Sequence, residues 1–113
     1  IKRLRDIIGP SRAKYLFFTA RQFSSTEALQ MGIIEQIFKK DNFEENILLV
    51  LNTIITNAPL TIASAKLAID ADPFDSEMYK RCREFERTCF SSKDYEEGRL
   101  AFSKKRKPIF KGH

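Results

Sequence analysis

Apolar residues recur at helical spacing over most of this sequence, beginning at its first residues. A short helix is predicted over 2–8, and the Gly-Pro pair at 9–10 ends it. The proline suits the first turn of a following helix, because its missing N–H would have no helical partner there. That second helix is predicted over 11–20, with Ala13 and Leu16 on its apolar face. The pattern therefore opens with two helices separated by a tight break.

Two four-residue segments carry the signature of a helix N-terminus. In Ser24–Glu27 the serine can accept the amide of the glutamate, and the glutamate can return the bond, which makes a capping box. Asp41–Glu44 repeats this pattern. The first box predicts a short helix that stops at Gly32, since glycine adopts the left-handed conformation at a helix end. The second box predicts a longer helix.

Between the two boxes lies a segment that departs from helical spacing. Residues Ile33–Phe38 are β-branched and aromatic, and they are too few for a helix between Gly32 and Lys39. We interpret this segment as the only strand. Because a single strand cannot satisfy its own backbone, its partner would have to come from other sequence or from another copy of the chain.

The rest of the chain is predicted to be helical. The helix after Asp41–Glu44 has the clearest apolar stripe and ends before Pro59. Further helices are predicted at about 60–71, 75–90 and 93–105, with breaks at Asp72-Pro73 and at a serine cap, Ser91 or Ser92. The predicted class is mostly α with at most one short strand. No repeat or flexible linker divides it.

Length and composition place the chain among ordinary folded proteins. Of its 113 residues, 42% are hydrophobic and 31% are charged, which argues against disorder and suits one small domain or a piece of a larger one. The longest apolar run, Ile47–Leu51, is far shorter than the roughly 20 residues of a membrane span, so we expect no membrane partner. No secretory signal is visible, and a chain that begins with Ile1 is expected to be a fragment or a processed form.

The net charge of +5 is unevenly distributed along the sequence. Residues 1–14 carry five Lys or Arg against one acid, residues 15–98 carry nine against fourteen, and residues 99–113 carry six against none. The basic character therefore lies at the two ends, chiefly at the C-terminal one. This gives no continuous nucleic-acid-binding face, so we expect no nucleic acid partner, although the basic end could meet a phosphate.

The two cysteines, Cys82 and Cys89, lie seven residues apart in a predicted helix. Seven helical residues rise about 10 Å, whereas a disulfide needs Cα atoms within roughly 7 Å, so the two cannot bridge. They are interpreted as small buried residues of a reducing compartment, which indicates the cytoplasm or an organelle matrix rather than a secreted protein. The only histidine is His113, and no Cys or His cluster has ligand spacing, so no metal site is predicted.

Four segments carry distinctive residues in order: Gly9–Ser24, Glu27–Ile34, Asn57–Ala68 and Phe90–Gly112. They resemble, in that order, the stretches GPARAKELLLTGRRFSA, EALRLGLV, NAPLALRAAKRAL and FASEDAREGRAAFLEKRKPVFKG of the enoyl-CoA hydratase/isomerase (crotonase) family. The resemblance covers nearly all of the chain. Two departures are Ala20, where the family often has glycine, and Glu86, in a stretch where some hydratases carry an aromatic residue near the CoA adenine.

The resemblance implies a fold and an activity for the parent protein. In this family a β/α spiral core binds acyl-CoA, and a helical C-terminal region covers the core and makes the trimer. Its hydratases add water across the double bond of an enoyl-CoA, using an oxyanion hole and two glutamates as general base and acid. All of these groups lie upstream of the segment that Ile1 matches. Residues 1–113 are thus expected to be a single C-terminal helical domain without the core, with no catalytic residue and no cofactor.

Lys105 is the one candidate binding residue. By resemblance, a lysine at this position reaches the 3′-phosphate of CoA, often in the neighbouring subunit, and a compact ammonium suits phosphate. The alternative is that Lys105–Lys107 form a solvated basic helix end that complements the helix dipole. Phe102 and Phe110 are interpreted as packing residues, and the alternative is that they contact the adenine of CoA.

The carboxylates have simple explanations at this level. Glu27 and Glu44 are capping partners, and Glu84 and Glu86 alternate with arginines on a solvated helix. The acids of the last helix offset its dipole in the first turn: Asp94, Glu96 and Glu97. None of them is predicted to act as a catalytic acid or base.

Two functional classes stay open. The first is the assembly and lid segment of an enoyl-CoA hydratase, isomerase or related lyase, whose parent takes acyl-CoA as substrate. The second is a stand-alone, non-catalytic helical oligomerisation module or basic phosphate-binding module. In either class we expect a protein partner, either a family core domain or further copies of the chain in a homo-oligomer.

Overall fold

The computed structural model of the chain describes residues 1–72 and 74–113, and it is built from helices. Seven α-helices and one 3₁₀ turn follow in order: α1 Lys2–Ile8, α2 Pro10–Thr19, α3 Ser25–Gln30, the turn Lys40–Asn42, α4 Phe43–Ile55, α5 Pro59–Asp70, α6 Ser76–Phe90 and α7 Lys93–Ser103. The chain is 69% helical, and neither described range contains a strand. The predicted mostly-α class is confirmed.

The chain forms two compact units, Ile1–Asn46 and Ile47–His113. In the first unit α1 packs against α2. The main buried cluster of this unit is Ile8, Ala13 and Leu16, with Leu4, Met31 and Ile33 packed against it. Ala28 of α3 is buried as well. The apolar faces predicted for the first two helices thus form this main cluster.

Helix ends in the first unit follow the local sequence signals. The Ser24–Glu27 capping box forms in both directions, with bonds of 2.9 Å and 3.2 Å. Helix α3 ends in a Schellman motif, in which the amides of Ile33 and Gly32 donate to the carbonyls of Ala28 and Leu29, respectively, at 2.9 Å and 3.0 Å. The φ of Gly32 is +73°, as its predicted role requires.

The prediction of a strand at Ile33–Phe38 is wrong. The segment is irregular, the amide of Ile33 is used by the Schellman motif, and the Phe38 ring meets the Phe43 ring edge-on at 6.3 Å. Its β-branched residues indicated burial, and Ile33 does pack on the core. A strand also needs a neighbouring strand for its backbone hydrogen bonds, and the described residues offer none.

The second predicted capping box is also wrong. A 3₁₀ turn occupies Lys40–Asn42, and the Asn42 amide donates to the Lys39 carbonyl at 3.1 Å. In the described part of the chain, no hydrogen bond joins the Asp41 side chain to the Glu44 amide. The turn leads the backbone directly into α4, so the start of this helix needs no side-chain cap.

In the second unit α5 packs along α6, and α7 packs against α6. Asp75 caps α6 by accepting the amides of Glu77 and Met78 at 3.0 Å, and Ser92 caps α7 by accepting the amide of Tyr95 at 3.1 Å. These helix starts agree with the sequence prediction. The break predicted at Asp72-Pro73 includes Pro73, which lies outside the described residues.

Large apolar side chains remain exposed in both units. No residue of α4 is buried, and Leu48, Leu49 and Ile55 are all more than half exposed. Phe18 and Phe102 are 82% and 88% exposed. Exposed apolar surface on this scale marks an interaction surface in most proteins.

Within the described residues, no single helix has the length and apolar character needed to cross a membrane. The bent pair formed by Lys40–Ile55 and Pro59–Asp70 meets that criterion only when both are counted together.

Candidate functional site

Lys105, the one binding residue predicted from the sequence, lies immediately after α7. This helix ends in a Schellman motif, in which the Lys105 amide donates to the Phe102 carbonyl at 3.1 Å and the Arg106 amide to the Ala101 carbonyl at 3.0 Å. Lys105 therefore occupies the left-handed position of the motif, with a φ of +51°. Glycine is the usual residue at this position, because a side chain makes the left-handed conformation unfavourable.

The Lys105 side chain is exposed to solvent. Within the described residues, none of the ion pairs or side-chain hydrogen bonds engages its ammonium group. Its charge is therefore available to a ligand. The predicted helix over 93–105 ends two residues early, at Ser103, so Lys105 belongs to the turn that follows the helix.

Arg106, the next residue, is held by a glutamate of α7. Its two terminal nitrogens donate to the two carboxylate oxygens of Glu97 at 2.6 Å and 2.8 Å, which is the bidentate geometry typical of arginine. Glu97 also accepts the backbone amide of Ile109 at 2.9 Å. The Arg106 guanidinium, followed by the Ile109 amide, lowers the pKa of Glu97 from 4.5 to about 2.

Asp94 holds the end of the chain. Its carboxylate accepts the amides of Lys111 and Gly112, both at 2.7 Å, and its own amide donates to the His113 carbonyl at 3.1 Å. The residue is only 4% exposed. A buried carboxylate is stable only when its oxygens are hydrogen-bonded, and here two backbone amides meet that need.

The interpretation of Asp94 and Glu97 as helix-dipole acids was therefore incomplete. Both bind residues that are distant in sequence, at separations of 9 to 18 positions. Contacts at such separations follow neither the helical nor the strand repeat, and a backbone amide is present in almost every residue type, so the sequence does not mark these partners. The only indication in the sequence was the excess of basic residues that follows the acidic first turn of this helix.

A groove of about 900 Å³ lies between α5, α6 and α7 in the second unit. Small residues of α5 line one wall, and both cysteines of α6 line another. The cysteines are unbridged, as predicted, but they are half-buried rather than fully buried, and Cys89 donates its S–H to the Leu60 carbonyl at 3.3 Å. The groove gives this unit a concave, largely apolar surface.

The two aromatic residues interpreted as packing residues differ in the structure. Phe110 is half-buried, and the edge of its ring lies 3.5 Å from the position that a Cβ on Gly98 would occupy. Phe102 is 88% exposed at the edge of the groove, so the packing prediction is wrong for it within this chain.

Two carboxylates of the described residues, Glu27 and Glu97, have a pKa below its ordinary value. The backbone amide of Ser24 is the main cause of the lower pKa of Glu27, and the Arg106 guanidinium is the main cause of the lower pKa of Glu97. A general acid near neutral pH needs a raised pKa instead. Glu86 pairs with Arg83 at 2.8 Å on the exposed face of α6. No group of three potential metal ligands occurs in the described ranges.

Comparison with known proteins shows what this helical arrangement belongs to. The profile of the family described as "Enoyl-CoA hydratase/isomerase" matches residues 1–113. The chain is 35% identical over 104 residues to the methylmalonyl-CoA decarboxylase of Escherichia coli, covering 88% of this chain. It is 30% identical over 115 residues to the short-chain-enoyl-CoA hydratase of Clostridium acetobutylicum, covering 94% of this chain.

Solved structures give the same result for the fold. An enoyl-CoA hydratase from Bacillus anthracis superimposes with a TM-score of 0.82 at 31% identity, covering 98% of this chain and 44% of that one. The chain spans 40% of the length of the decarboxylase and 41% of the length of the clostridial hydratase. With a family profile that matches along its whole length and a shared fold, the chain is a member of the enoyl-CoA hydratase/isomerase family.

Proposed function

We propose that residues 1–113 serve as the C-terminal assembly and lid segment of an enoyl-CoA hydratase/isomerase family protein. In this role they cover the acyl-CoA site of the longer protein and mediate its association. They do so without the catalytic glutamates and the oxyanion hole, which the family places upstream of the matched segment. The substrate of the longer protein is an acyl-CoA, and the relatives named above carry CoA thioesters in their names.

The exposed apolar surface carries this proposal. The chain spans about two fifths of the length of the relatives named above. No residue of α4 is buried, and Phe18 and Phe102 are almost fully exposed. These faces would be covered by a core domain or by further copies of the chain. Burial of apolar surface is worth about 25 cal/mol per Å², so covering even a few such side chains favours association.

Lys105 supplies the proposed contact with the ligand. Its ammonium is exposed and free of partners among the described residues, and it follows a helix end with a backbone fixed by two hydrogen bonds. A point charge of this kind suits the 3′-phosphate of CoA. The simpler alternative, a solvated basic helix end, predicts that Lys104 and Lys105 are interchangeable.

The second candidate is a stand-alone helical oligomerisation or phosphate-binding module. The groove and the basic tail support it, because both belong to the second unit, Ile47–His113. The sequence immediately upstream of Ile1 discriminates the two candidates. A glutamate-bearing strand and loop with a Gly-rich turn favours the enzyme segment, and a start codon favours the module.

Light scattering of the purified chain at tens of micromolar tests the association. We expect a dimer or a larger species, and Val50→Glu together with Ile54→Glu should shift it towards monomer, because both side chains are exposed and, four residues apart, lie on one face of α4. Asn52→Glu places the same charge on a polar position of this helix and serves as the control. A wild-type chain that is cleanly monomeric would contradict the proposal.

A second test concerns chemistry. The purified chain should not hydrate crotonyl-CoA above the buffer rate, since the proposal places the glutamate pair and the oxyanion hole outside residues 1–113. Saturable turnover that follows the chain through every purification step would overturn this part of the proposal.

A further inference from the structure

The segment that carries Lys105 is fixed at several points along its length. After α7 the chain has no regular structure through residues 104–113. Terminal segments of this kind are poorly ordered unless something ties them down. Here two carboxylates of α7, three residues apart and thus on one helix face, together bind three backbone amides and one guanidinium of the tail.

The pairing of Glu97 with Arg106 bears directly on Lys105. Arg106 follows Lys105 in the chain, and its guanidinium is held at 2.6 Å and 2.8 Å while donating also to the Lys107 carbonyl at 3.0 Å. This fixes the backbone on the C-terminal side of Lys105. The Schellman bonds fix it on the helix side. The pairing also neutralises Arg106, so that its charge does not compete for an anion.

The backbone of Lys105 is a second, independent observation. A lysine with a φ of +51° stands where glycine would be more stable. Unfavourable backbone conformations of this kind persist only when the surroundings impose them, and they often occur where a side chain is needed for function. Here the Schellman bonds hold the backbone of Lys105 on the helix side, and the pairing of Arg106 with Glu97 holds it on the other side.

We propose that Asp94 and Glu97 are positioning residues, which hold the 105–112 segment so that the Lys105 ammonium meets the phosphate monoester of the ligand. The proposal rests on the proposed function, in which Lys105 contacts the 3′-phosphate of CoA. Both acids act through the backbone and neither touches the ligand. Their contribution is pre-organisation, because a lysine on an anchored turn loses less freedom on binding than one on a loose tail.

The sign of the effect separates positioning from simple electrostatics. Two negative charges near a phosphate site repel the ligand. If Asp94 and Glu97 acted only through their charge, neutralising either one would strengthen phosphate binding. Positioning predicts the opposite result. Asp94→Asn and Glu97→Gln should each weaken binding that depends on the phosphate. Glu96→Gln removes the same charge from an exposed neighbour on α7 and is the matched control.

The experiment compares CoA with 3′-dephospho-CoA as ligands of the longer protein that carries this chain. The measured quantity is the ratio of the two affinities. We expect Lys105→Ala to lower this ratio about tenfold, and Glu97→Gln and Asp94→Asn to lower it about two- to tenfold. Glu96→Gln should leave the ratio unchanged or raise it slightly. Circular dichroism establishes that each variant is folded, and Glu97→Gln suffices if Asp94→Asn does not fold.

A double variant provides the decisive readout. If Glu97 acts through Lys105, then Glu97→Gln added to Lys105→Ala should not lower the ratio further. If Glu97 had a merely structural role, Glu97→Gln would weaken the binding of CoA and of 3′-dephospho-CoA equally, both in the wild type and in Lys105→Ala, and the ratio of the two affinities would not change. If Lys105→Ala lowers the ratio while Glu97→Gln and Asp94→Asn do not, the positioning proposal is overturned and the proposed function stands. If Lys105→Ala leaves the ratio unchanged, the phosphate contact itself fails.

Discussion

Replacing Ala20 with glycine should stabilise the protein, although alanine to glycine is ordinarily a destabilising change. Ala20 follows the last residue of α2 and has a φ of +47°. A left-handed conformation is unfavourable by roughly 1–2 kcal/mol for an L-residue, whereas glycine adopts it freely. The residue is exposed, so removing its methyl group uncovers almost no buried surface.

The expected size follows from two opposing effects. Relief of the left-handed strain contributes roughly 1–2 kcal/mol, and the greater freedom of glycine in the unfolded chain offsets about 0.5–1 kcal/mol of it. The net gain in the free energy of unfolding therefore lies between about 0 and 1.5 kcal/mol, with a central value of about 0.75 kcal/mol. For a chain of this size, that corresponds to a rise in Tm of about 2–8 °C.

Urea denaturation and thermal melting, both followed by far-ultraviolet circular dichroism, measure this gain. The matched control is Ala13→Gly, the same substitution in the interior of the same helix, where the side chain is only 4% exposed. It should destabilise by about 1.5–2 kcal/mol, through lower helix propensity and the loss of one buried methyl group. The two variants should thus move stability in opposite directions. A destabilisation by Ala20→Gly as large as that of a helix-interior glycine would refute the reasoning.

Two further predictions concern α7 and its tail. Gly98→Ala should stabilise the chain by up to about 1 kcal/mol, because Gly98 lies inside α7 and an added Cβ would lie at an ordinary contact distance of 3.5 Å from the Phe110 ring. Gly112→Ala should destabilise the chain, because Gly112 has a φ of +82°. A denaturation experiment that finds the opposite order of stability would contradict this geometry. Because the pKa of Glu97 falls from 4.5 to about 2 on folding, its contribution to stability is present above pH 4.5 and is lost as the pH falls towards 2. Glu97→Gln should therefore flatten the acid limb of a stability-versus-pH curve, and Glu96→Gln should not.

Most of the helical fold could be predicted because its signals are local. The Ser24–Glu27 capping box, the Gly32 stop and the Asp75 and Ser92 caps act within a few residues, so the sequence pattern alone locates the helix ends. The strand at Ile33–Phe38 was wrong for a related reason. Local residue preference indicates burial there, but a strand also depends on a partner that this chain does not supply among its described residues.

The site could be predicted only in part. Lys105 was identified through resemblance, but its left-handed backbone was not, since nothing in the sequence marks a lysine at a helix end as the residue that replaces glycine. The anchoring by Asp94 and Glu97 depends on backbone amides up to 18 residues away. Contacts of this range are decided by packing, so they appear only once the tail is placed along α7.

The exposed apolar faces include the stripe that the sequence pattern shows most clearly, on the helix after Asp41–Glu44. Their extent follows from the three-dimensional arrangement, in which α4 buries none of its residues and Phe102 projects from α7. These faces connect the fold with the proposed function, because the surface with which a lid segment would contact a core domain is exposed when that domain is absent.

The most direct test of the account compares two neighbouring lysines. In the proposed longer protein, Lys105→Ala should weaken binding of a CoA thioester about tenfold or more, as expected for a charge-assisted bond of roughly 1.5–3 kcal/mol, and should leave binding of the matching pantetheine thioester unaffected. Lys104→Ala should change either ligand only slightly, through long-range charge that is screened beyond about 10 Å at 0.1 M salt. Small and equal effects of both substitutions on both ligands would contradict the proposed phosphate contact and leave the tail as a solvated helix end.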